Sequence, residues 1–259
     1  MASIKCTASI VVYNNPPDMI RKAIESLLLY SSDVKLQVVD NSPTQAIKSS
    51  LIDLPIIYNF SGCNLGYGRG HNKAINECSD SKYHVVINPD IVIAPTTMHT
   101  LTTFMDENPD IGIVCPKVLN ADGTIQHLNK RYPTILDLFV RRFMPNFMDP
   151  FMVRRLDRYE MKDKGYDTEY DVESMTGAFM FCRMDVLKKA GGFDPRYFLY
   201  FEDFDLSRKV KELGYRTVYY PYATVTHFWE RAAHKKLRMT YVFIVNMFRY
   251  FNKWGWKLY

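Results

Sequence analysis

The first half of the chain alternates short β-branched runs with helical apolar patterns, and this alternation restricts the folds open to it. Residues 8–13 (Ala-Ser-Ile-Val-Val-Tyr) predict a buried first strand. Pro16-Pro17-Asp18 then begins a pattern whose apolar residues recur at helical spacing, namely Ile20, Ala23, Ile24, Leu27 and Leu28. Further strands are predicted at residues 36–39, 56–60, 83–87 and 111–114. The alternation predicts an α/β fold with a mostly parallel sheet flanked by helices, resembling a Rossmann fold.

The second half interrupts this pattern. Residues 126–172 are rich in Arg, Phe, Met and Pro, and we interpret them as an insert. Regular structure is predicted to resume with a strand at 177–183, a helix that ends before Gly214, and a strand at 217–220. We therefore predict one domain over residues 1–227, which contains the insert at 126–172, and a helical tail over residues 228–259.

Charge and cysteine content indicate the environment of the chain. The net charge is +5, and the tail alone carries seven Lys or Arg against one Glu, so the basicity belongs to the tail. The five cysteines are an odd set with no Cys-x-x-Cys spacing, which favours a reducing compartment over a disulfide framework or a zinc site. With no secretory signal and no apolar run near the length of a bilayer span, we expect a cytoplasmic chain that can lie on a membrane.

Two aspartates follow predicted strands. Asp40 ends the second strand and Asp90 follows the fourth in Asn88-Pro89-Asp90. Ligands of open α/β sheets bind at the carboxyl ends of the strands, so both should face the same edge. A carboxylate there can accept the N3–H of a uracil or thymine, or hold a divalent cation against a diphosphate. The alternative for each is a turn-forming Asp.

A glycine loop at residues 64–72 follows the third predicted strand. Gly66, Gly68 and Gly70 are spaced G-x-G-x-G, and His71 stands where the dinucleotide fingerprint requires Gly or Ala. The spacing therefore argues against a dehydrogenase.

Three carboxylates cluster in Phe201-Glu202-Asp203-Phe204-Asp205. Acidic residues are common in the first turn of a helix, which is the structural alternative for the cluster. Asp205 precedes Arg208 and Lys209 at the spacing of intrahelical ion pairs, so we interpret it as structural. Asp203 cannot share that face and is free to point at the strand ends.

Taken in order, these motifs resemble the inverting family-two glycosyltransferases with the glycosyltransferase A fold, and within them the rhamnosyltransferase-like group. The resemblance covers about residues 9–227 and rests on residues 9–14, 38–41, 64–68 with Asn72, 88–90, 176–178, and 201–206 followed by His227.

The resemblance implies a role for each matching residue. Asp203 would be the general base, with Gly177 and Glu202 contacting the acceptor. Asp90 and His227 would hold Mg²⁺ or Mn²⁺, the imidazole favouring Mn²⁺. The donor nucleotide would be bound by Tyr13, Asp40, Asn41, Gly66, Arg69, Asn72 and Asn88.

Two departures from the family pattern bear on the site. The usual metal motif is Asp-x-Asp, and Asn88 here takes the first position, leaving one carboxylate; the Asn-Pro-Asp form is typical of the rhamnosyltransferase-like group. After His227 the chain continues with Phe228-Trp229-Glu230-Arg231 where the family often has Gly and Ser. We expect Arg231, Lys235 or Lys236 to take over the phosphate contacts.

The resemblance predicts transfer of L-rhamnose from dTDP-L-rhamnose to a lipid-linked or cell-surface polysaccharide acceptor. The alternatives are a UDP-hexose transferase of the same fold and a non-catalytic nucleotide-sugar-binding scaffold. Basic and aromatic residues interleave in the insert and the tail, which suits an anionic membrane surface at the inner face of the cell membrane. The alternative for these segments is packing on the domain itself. No recognition motif points to nucleic acid.

Overall fold

A single mixed sheet organises the protein. The computed structural model describes residues 6–31, 34–78, 80–143, 150–228 and 237–259. The strands are β1 (Cys6–Val12), β2 (Val34–Asp40), β3 (Ile57–Phe60), β4 (Tyr83–Ile87), β5 (Ile91–Ile93), β6 (Ile111–Leu119), β7 (Tyr170–Asp171), β8 (Phe179–Arg183) and β9 (Arg216–His227). Their order across the sheet is β3-β2-β1-β4-β8-β6-β9-β5, with β7 paired to β9.

Helices cover the two faces of this sheet. They are α1 (Pro17–Leu29), α2 (Tyr67–Glu77), α3 (Thr97–Glu107), α4 (Ile135–Phe143), α5 (Pro150–Tyr159), α6 (Met184–Lys189), α7 (Glu202–Glu212) and α8 (Leu237–Trp254). Two short 3₁₀ helices lie at Lys48–Leu51 and Lys162–Lys164. The α/β class predicted from the sequence is confirmed.

The N-terminal half of the sheet is parallel, as predicted. β1 pairs in parallel with β2 and β4, and β2 pairs in parallel with β3. The apolar face of α1 is buried, with Ile20, Ile24 and Leu27 fully inaccessible to solvent. These residues lie at the helical spacing seen in the sequence, so the amphipathic pattern of α1 accounts for its packing on the sheet.

The remaining half is mixed, and the prediction of a mostly parallel sheet is wrong there. β8 runs antiparallel to both β4 and β6, and β9 runs parallel to β6 but antiparallel to β5. The reason is the route of the chain. The loop before β8 lies where β4 ends, since the Asn88 N–H donates to the Ala178 carbonyl at 2.9 Å. A strand that starts at that edge must run back along its neighbour.

β9 is much longer than the predicted strand at 217–220. The sequence indicates a break at Pro221, because proline cannot donate to a sheet ladder. The strand instead continues through Pro221 to His227, and its pairing with β6 shifts register between Pro116 and Lys117. This irregularity accommodates the proline. The continuation carries His227 to the edge where Asp90 lies.

The C-terminal helix α8 packs on the domain through one face. Tyr250 and Phe251 are buried in an aromatic cluster with Tyr197, Phe201 and Leu138. The opposite face leaves a row of apolar side chains exposed, namely Leu237, Tyr241, Ile244 and Phe248. Among the described residues, no helix is long and apolar enough to span a bilayer. Arg231, Lys235 and Lys236, predicted to contact phosphate, lie outside the described residues.

Candidate active site

Asp90 and His227 meet at the edge of the sheet. Asp90 lies in the turn between β4 and β5, and His227 is the last residue of β9. Pairing of β5 with β9 places Ile91 opposite His227, and the Phe228 N–H donates to the Asp90 carbonyl at 2.9 Å. The Asp90 Oδ1 and His227 Nε2 atoms are 3.3 Å apart. Two residues 137 positions apart in sequence are thus fixed by backbone pairing.

This pair suits a divalent cation. Asp90 Oδ1 is buried and accepts no hydrogen bond from the residues that the structure describes. Mn²⁺ binds both a carboxylate oxygen and an imidazole nitrogen readily, whereas Mg²⁺ prefers the oxygen. No group of three or more His, Cys, Asp or Glu side chains forms a metal site within the described ranges. A cation held here would therefore need further oxygen ligands from a bound substrate.

Asp203 lies in the first turn of α7 and is fixed at both oxygens. Oδ2 accepts the Gly177 N–H at 3.0 Å and Oδ1 accepts the Phe204 N–H at 2.9 Å. Burial raises the pKa of Asp203 to about 6, against the opposing effect of the hydrogen bonds from Gly177 and Phe204. The carboxylate is thus ionised at neutral pH and more basic than an exposed Asp, which suits a general base.

Glu202 lies behind Asp203 in the interior. Its side chain is 4% exposed, and its Oε2 atom has no hydrogen-bond partner among the described residues. Burial, together with the charge of Asp203, raises the pKa of Glu202 well above its usual range. Of the two adjacent carboxyl groups, Glu202 therefore favours its protonated form more strongly than Asp203 does.

Two residues before α7 adopt a left-handed backbone. Tyr200 and Phe201 have φ values of 71° and 69°, which cost roughly 1–3 kcal/mol each for residues with a side chain. α8 holds this segment, since Phe201 packs on Tyr250 with ring centroids 5.5 Å apart and Asn246 Nδ2 donates to the Leu199 carbonyl at 2.8 Å. The strained turn sets where α7 begins and so where Asp203 points.

Tyr67, which the sequence interpretation did not single out, joins these groups. Its hydroxyl donates to the Gly177 carbonyl, while the Gly177 N–H donates to Asp203. Burial raises the pKa of the Tyr67 phenol, and the charges of Glu202, Asp203 and Asp90 raise it further. The phenol thus lies within the field of all three carboxylates. The sequence shows Tyr67 in the glycine loop, but nothing in it signals a contact with a residue 110 positions away.

The predicted pyrimidine contact, Asp40, is fully buried at the end of β2. Its Oδ1 accepts the Ser42 N–H at 2.9 Å, and its Oδ2 accepts the hydroxyl of Tyr58, which the sequence interpretation missed. Each carboxylate oxygen has a second lone pair, so Asp40 can still accept one more hydrogen bond. Tyr13 follows β1 on the same edge with 49% of its surface exposed, which leaves its ring available to a base.

The other residues predicted to bind the nucleotide differ in whether their side chains already bond the fold. Asn72 exchanges two hydrogen bonds with the Phe193 backbone, at 2.7 and 2.8 Å, so its amide is already used in holding the fold. Asn41 is buried and donates to the Gly66 carbonyl at 3.0 Å. Arg69 is exposed, and its Nε donates to the Pro195 carbonyl at 2.7 Å.

Gly66 is required by backbone geometry. Its φ is +86°, and a Cβ there would lie 2.3 Å from the Phe198 carbonyl oxygen. Gly66 therefore allows the glycine loop to contact the segment that leads to α7.

Comparison with protein families places this geometry in context. A family model described as "Glycosyltransferase like family 2" matches residues 52–243. The matched range includes Asp90, Asp203 and His227 and leaves out Tyr13, Asp40 and Asn41.

Curated relatives cover most of the chain. An N-acetylglucosaminyl-diphospho-decaprenol L-rhamnosyltransferase from Mycobacterium tuberculosis is 25% identical over 84% of this chain and 74% of its own length. The rhamnosyltransferase WbbL from Escherichia coli is 24% identical over 85% of this chain and 82% of its own length.

Solved structures share the fold at low sequence identity. GalNAc-T7 in complex with UDP, GalNAc and Mn²⁺ has a TM-score of 0.67 and 13% identity, covering 88% of this chain and 44% of that one. The mannosyltransferase PcManGT from Pyrobaculum calidifontis, in complex with GDP-Man and Mn²⁺, has a TM-score of 0.59 and 15% identity over 88% of this chain and 58% of that one. The chain thus spans about half the length of these structures. The predicted glycosyltransferase A fold is confirmed.

Proposed function

Because the chain belongs to glycosyltransferase family 2, we propose that it is an inverting glycosyltransferase with Asp203 as its general base. The observation that carries the proposal is the carboxylate of Asp203 itself, fixed by the Gly177 N–H at 3.0 Å and raised in pKa to about 6. A base that is ionised at neutral pH and held in one orientation can take the proton of an acceptor hydroxyl as that oxygen attacks the anomeric carbon. The C–O bond to the nucleoside diphosphate breaks on the opposite face.

Asp90 and His227 are the residues that we propose to hold Mg²⁺ or Mn²⁺. Their facing ligand atoms, 3.3 Å apart at a buried edge, support this assignment. When bound, the cation would offset the negative charge of the donor diphosphate. Asn88, which precedes Asp90 in the same turn, offers an amide oxygen to the ribose or to a bound water.

We assign the donor nucleotide to the edge formed by β1 and β2. Tyr13 is exposed enough to stack on a pyrimidine, and Asp40 has lone pairs for its N3–H but is fully buried, so a side chain that covers Asp40 would have to move when the base binds. Asn41 and Gly66 shape the wall of this site, and Arg69 is the exposed cation nearest to it in the glycine loop. The proposed nucleotide site leaves Asn72 out, because the Phe193 backbone occupies both ends of its amide.

The sugar and the acceptor follow from the relatives. Two curated relatives that cover more than four fifths of the chain are named as rhamnosyltransferases, one acting on an N-acetylglucosaminyl-diphospho-decaprenol. We therefore propose L-rhamnose from dTDP-L-rhamnose as the donor and a lipid-linked glycan as the acceptor. Gly177 borders Asp203 on the proposed acceptor side, and Glu202 is left out of it because it is buried beside Asp203.

A donor panel tests this function. Purified protein is titrated with dTDP-L-rhamnose, UDP-glucose, UDP-galactose and UDP-N-acetylglucosamine, with and without Mn²⁺, and transfer is assayed on a lipid-linked N-acetylglucosaminyl diphosphate. Preferred binding and transfer of dTDP-L-rhamnose support the proposal. Transfer from a UDP-sugar alone would favour the hexosyltransferase, and tight binding without transfer to any offered acceptor would favour the scaffold.

We propose that the protein works at the inner face of the cell membrane, where a lipid-linked acceptor is held. The exposed row on α8 (Leu237, Tyr241, Ile244 and Phe248) repeats at helical spacing and is flanked by the exposed Arg238 and Arg249. Phe151 is also exposed, on α5 of the insert. An apolar row beside cations suits the headgroup region of an anionic bilayer.

A further inference from the structure

Gln126 contacts the ring of His227 on the side away from Asp90. Gln126 Oε1 and His227 Nδ1 are 2.8 Å apart, whereas His227 Nε2 faces Asp90 Oδ1 at 3.3 Å. The two ring nitrogens of a neutral imidazole differ, because one donates a hydrogen bond and the other accepts one. The partner of Nδ1 therefore decides what Nε2 can do.

A chain of hydrogen bonds fixes the orientation of the Gln126 amide. It starts at Asp122, whose Oδ1 accepts both the hydroxyl of Thr124 at 2.6 Å and its N–H at 2.9 Å. A carboxylate has only lone pairs, so the hydroxyl proton of Thr124 must point to Asp122. The Thr124 oxygen then accepts from Asn120 Nδ2 at 2.8 Å.

The donor and acceptor roles of Asn120 and Gln126 follow from that of Thr124. Because Asn120 donates through Nδ2, its Oδ1 is the acceptor for Gln126 Nε2, at 2.6 Å. Gln126 Nε2 also donates to the His227 carbonyl at 3.1 Å, so both of its contacts are acceptors. Gln126 must therefore present Oε1, an atom with lone pairs only, to the imidazole.

The geometry points to Gln126 as a positioning residue that keeps a proton on His227 Nδ1, so that Nε2 is the ring nitrogen left to bind a cation beside Asp90. This inference rests on the proposed function, because it assigns Nε2 as a ligand nitrogen for the divalent cation. Nε2 lies 3.3 Å from Asp90 Oδ1, so one cation could take both atoms as ligands. The residues from Asp122 to Gln126 lie in the turn after β6, and Gln126 contacts the ring nitrogen of His227 that is not assigned to the cation.

Two readouts test the inference. ¹⁵N NMR of labelled protein reports which nitrogen of His227 carries the proton, and electron paramagnetic resonance measures free Mn²⁺ during a titration in the presence of dTDP. Wild-type protein is expected to show a protonated Nδ1, and an unprotonated Nε2 once dTDP and diamagnetic Mg²⁺ are added. Gln126→Leu should lose this preference and bind Mn²⁺ about 10- to 100-fold more weakly, the usual effect of losing an outer partner of a metal ligand.

A variant that preserves the acceptor for Gln126 serves as the control. Asn120→Asp keeps an oxygen facing Gln126 Nε2, so it should retain the proton on Nδ1 and bind Mn²⁺ within about threefold of wild type. An Nδ1 without a proton in wild type, or unchanged Mn²⁺ binding by a folded Gln126→Leu protein, would overturn the inference alone. Absence of Mn²⁺ binding by wild type in the presence of dTDP would overturn both the proposed metal site and the inference.

Discussion

The indole Nε1 of Trp254 donates a hydrogen bond to Asp205 Oδ1 at 2.8 Å, joining the end of α8 to the first turn of α7. Asp205 is fully buried, and Lys253 Nζ lies 2.7 Å from the same oxygen. The structural role expected for Asp205 holds, but its main partners come from α8. Lys209 is 3.9 Å away, and the guanidinium of Arg208 lies over the rings of Tyr132 and Trp254 instead. α8 thus helps to hold the helix that carries Asp203.

The first prediction concerns this contact. Trp254→Phe keeps most of the packing but removes one donor from a buried carboxylate, which should lower the free energy of unfolding by about 1–3 kcal/mol. Urea denaturation followed by circular dichroism measures the change. Trp256→Phe is the matched control, because its indole bonds Asn252 at the surface and its loss should cost within about 0.5 kcal/mol. Equal losses in the two variants would contradict the account.

The second prediction is the pH dependence of transfer. Asp203 must be deprotonated to act as a base, and burial raises its pKa to about 6. We expect kcat/KM to rise as pH increases through about 6 and to level off above it. Initial rates between pH 5 and 8 at saturating Mn²⁺ measure this profile. A rate independent of pH across that range would contradict the role of Asp203.

The third prediction separates the two neighbouring carboxyl groups. Burial and the charge of Asp203 raise the pKa of Glu202, which favours its neutral form. Glu202→Gln therefore replaces one neutral group with another of similar shape, and kcat at pH 7.5 should stay within about threefold of wild type, a loss below about 1 kcal/mol. If Glu202 instead acts as a charged acceptor ligand, the variant should show a large rise in the KM for the acceptor.

The fourth prediction concerns stability in acid. His84 is buried between the hydroxyls of Thr7 and Ser9, and burial lowers its pKa to about 3; burial also lowers the pKa of His71, which contacts Ser9. The unfolded chain then binds more protons than the folded one between about pH 3 and 6.5. The contribution of each histidine to the free energy of unfolding should accordingly be complete above pH 6.5 and decrease by about 1.4 kcal/mol per pH unit below it. Asp203 and Glu202, whose pKa values are raised, act in the opposite direction, so the contribution of a histidine is measured as the difference between a variant and wild type.

Urea midpoints between pH 7 and 5 measure this loss. His84→Gln should remove the contribution of one histidine to the pH dependence of the free energy of unfolding. This holds whatever the substitution costs in stability at pH 7. His99→Gln, which changes an exposed imidazole on α3, is the matched control and should follow the wild-type curve. A His84→Gln curve parallel to that of wild type would contradict the buried neutral state of His84.

The fifth prediction tests the membrane surface. Tyr241→Ser combined with Phe248→Ser removes two aromatic rings from the exposed row of α8 and leaves its buried face intact. Each ring that inserts contributes up to about 1.5–3 kcal/mol, so sedimentation with anionic vesicles should weaken at least about tenfold. Tyr222→Ser, at an aromatic residue on β9 that is 63% exposed, should sediment like wild type. Unchanged sedimentation of the double variant would contradict the proposal.

Local patterns in the sequence predicted much of this fold. The apolar spacing from Ile20 to Leu28 defined α1, and the β-branched run at residues 8–13 defined β1, because both elements are determined by their own periodicity. The sequence analysis missed the features that depend on pairing between distant segments. The extension of β9 past Pro221 requires a register shift in β6, and the reversal of β8 requires a loop beside Asn88.

The candidate site shows the same division. Asp90, Asp203 and His227 stood out by residue type and motif, whereas their partners did not. Gln126, Tyr67 and Tyr58 act through side-chain contacts across 101, 110 and 18 positions of sequence, respectively. The sequence also gave no sign that the amide of Asn72 would be occupied by the Phe193 backbone, since an Asn near a glycine loop looks the same whether it binds a ligand or the fold.

The most direct test of the central claim is single-turnover transfer by Asp203→Asn, with donor binding measured on the same preparation by calorimetry. Asn keeps the shape of the side chain but cannot take a proton, so transfer should fall by about 10²- to 10⁴-fold while the dissociation constant for the donor changes less than about threefold. Glu202→Gln run in parallel should transfer at near wild-type rate. Transfer by Asp203→Asn within tenfold of wild type would contradict the assignment of Asp203 as the general base.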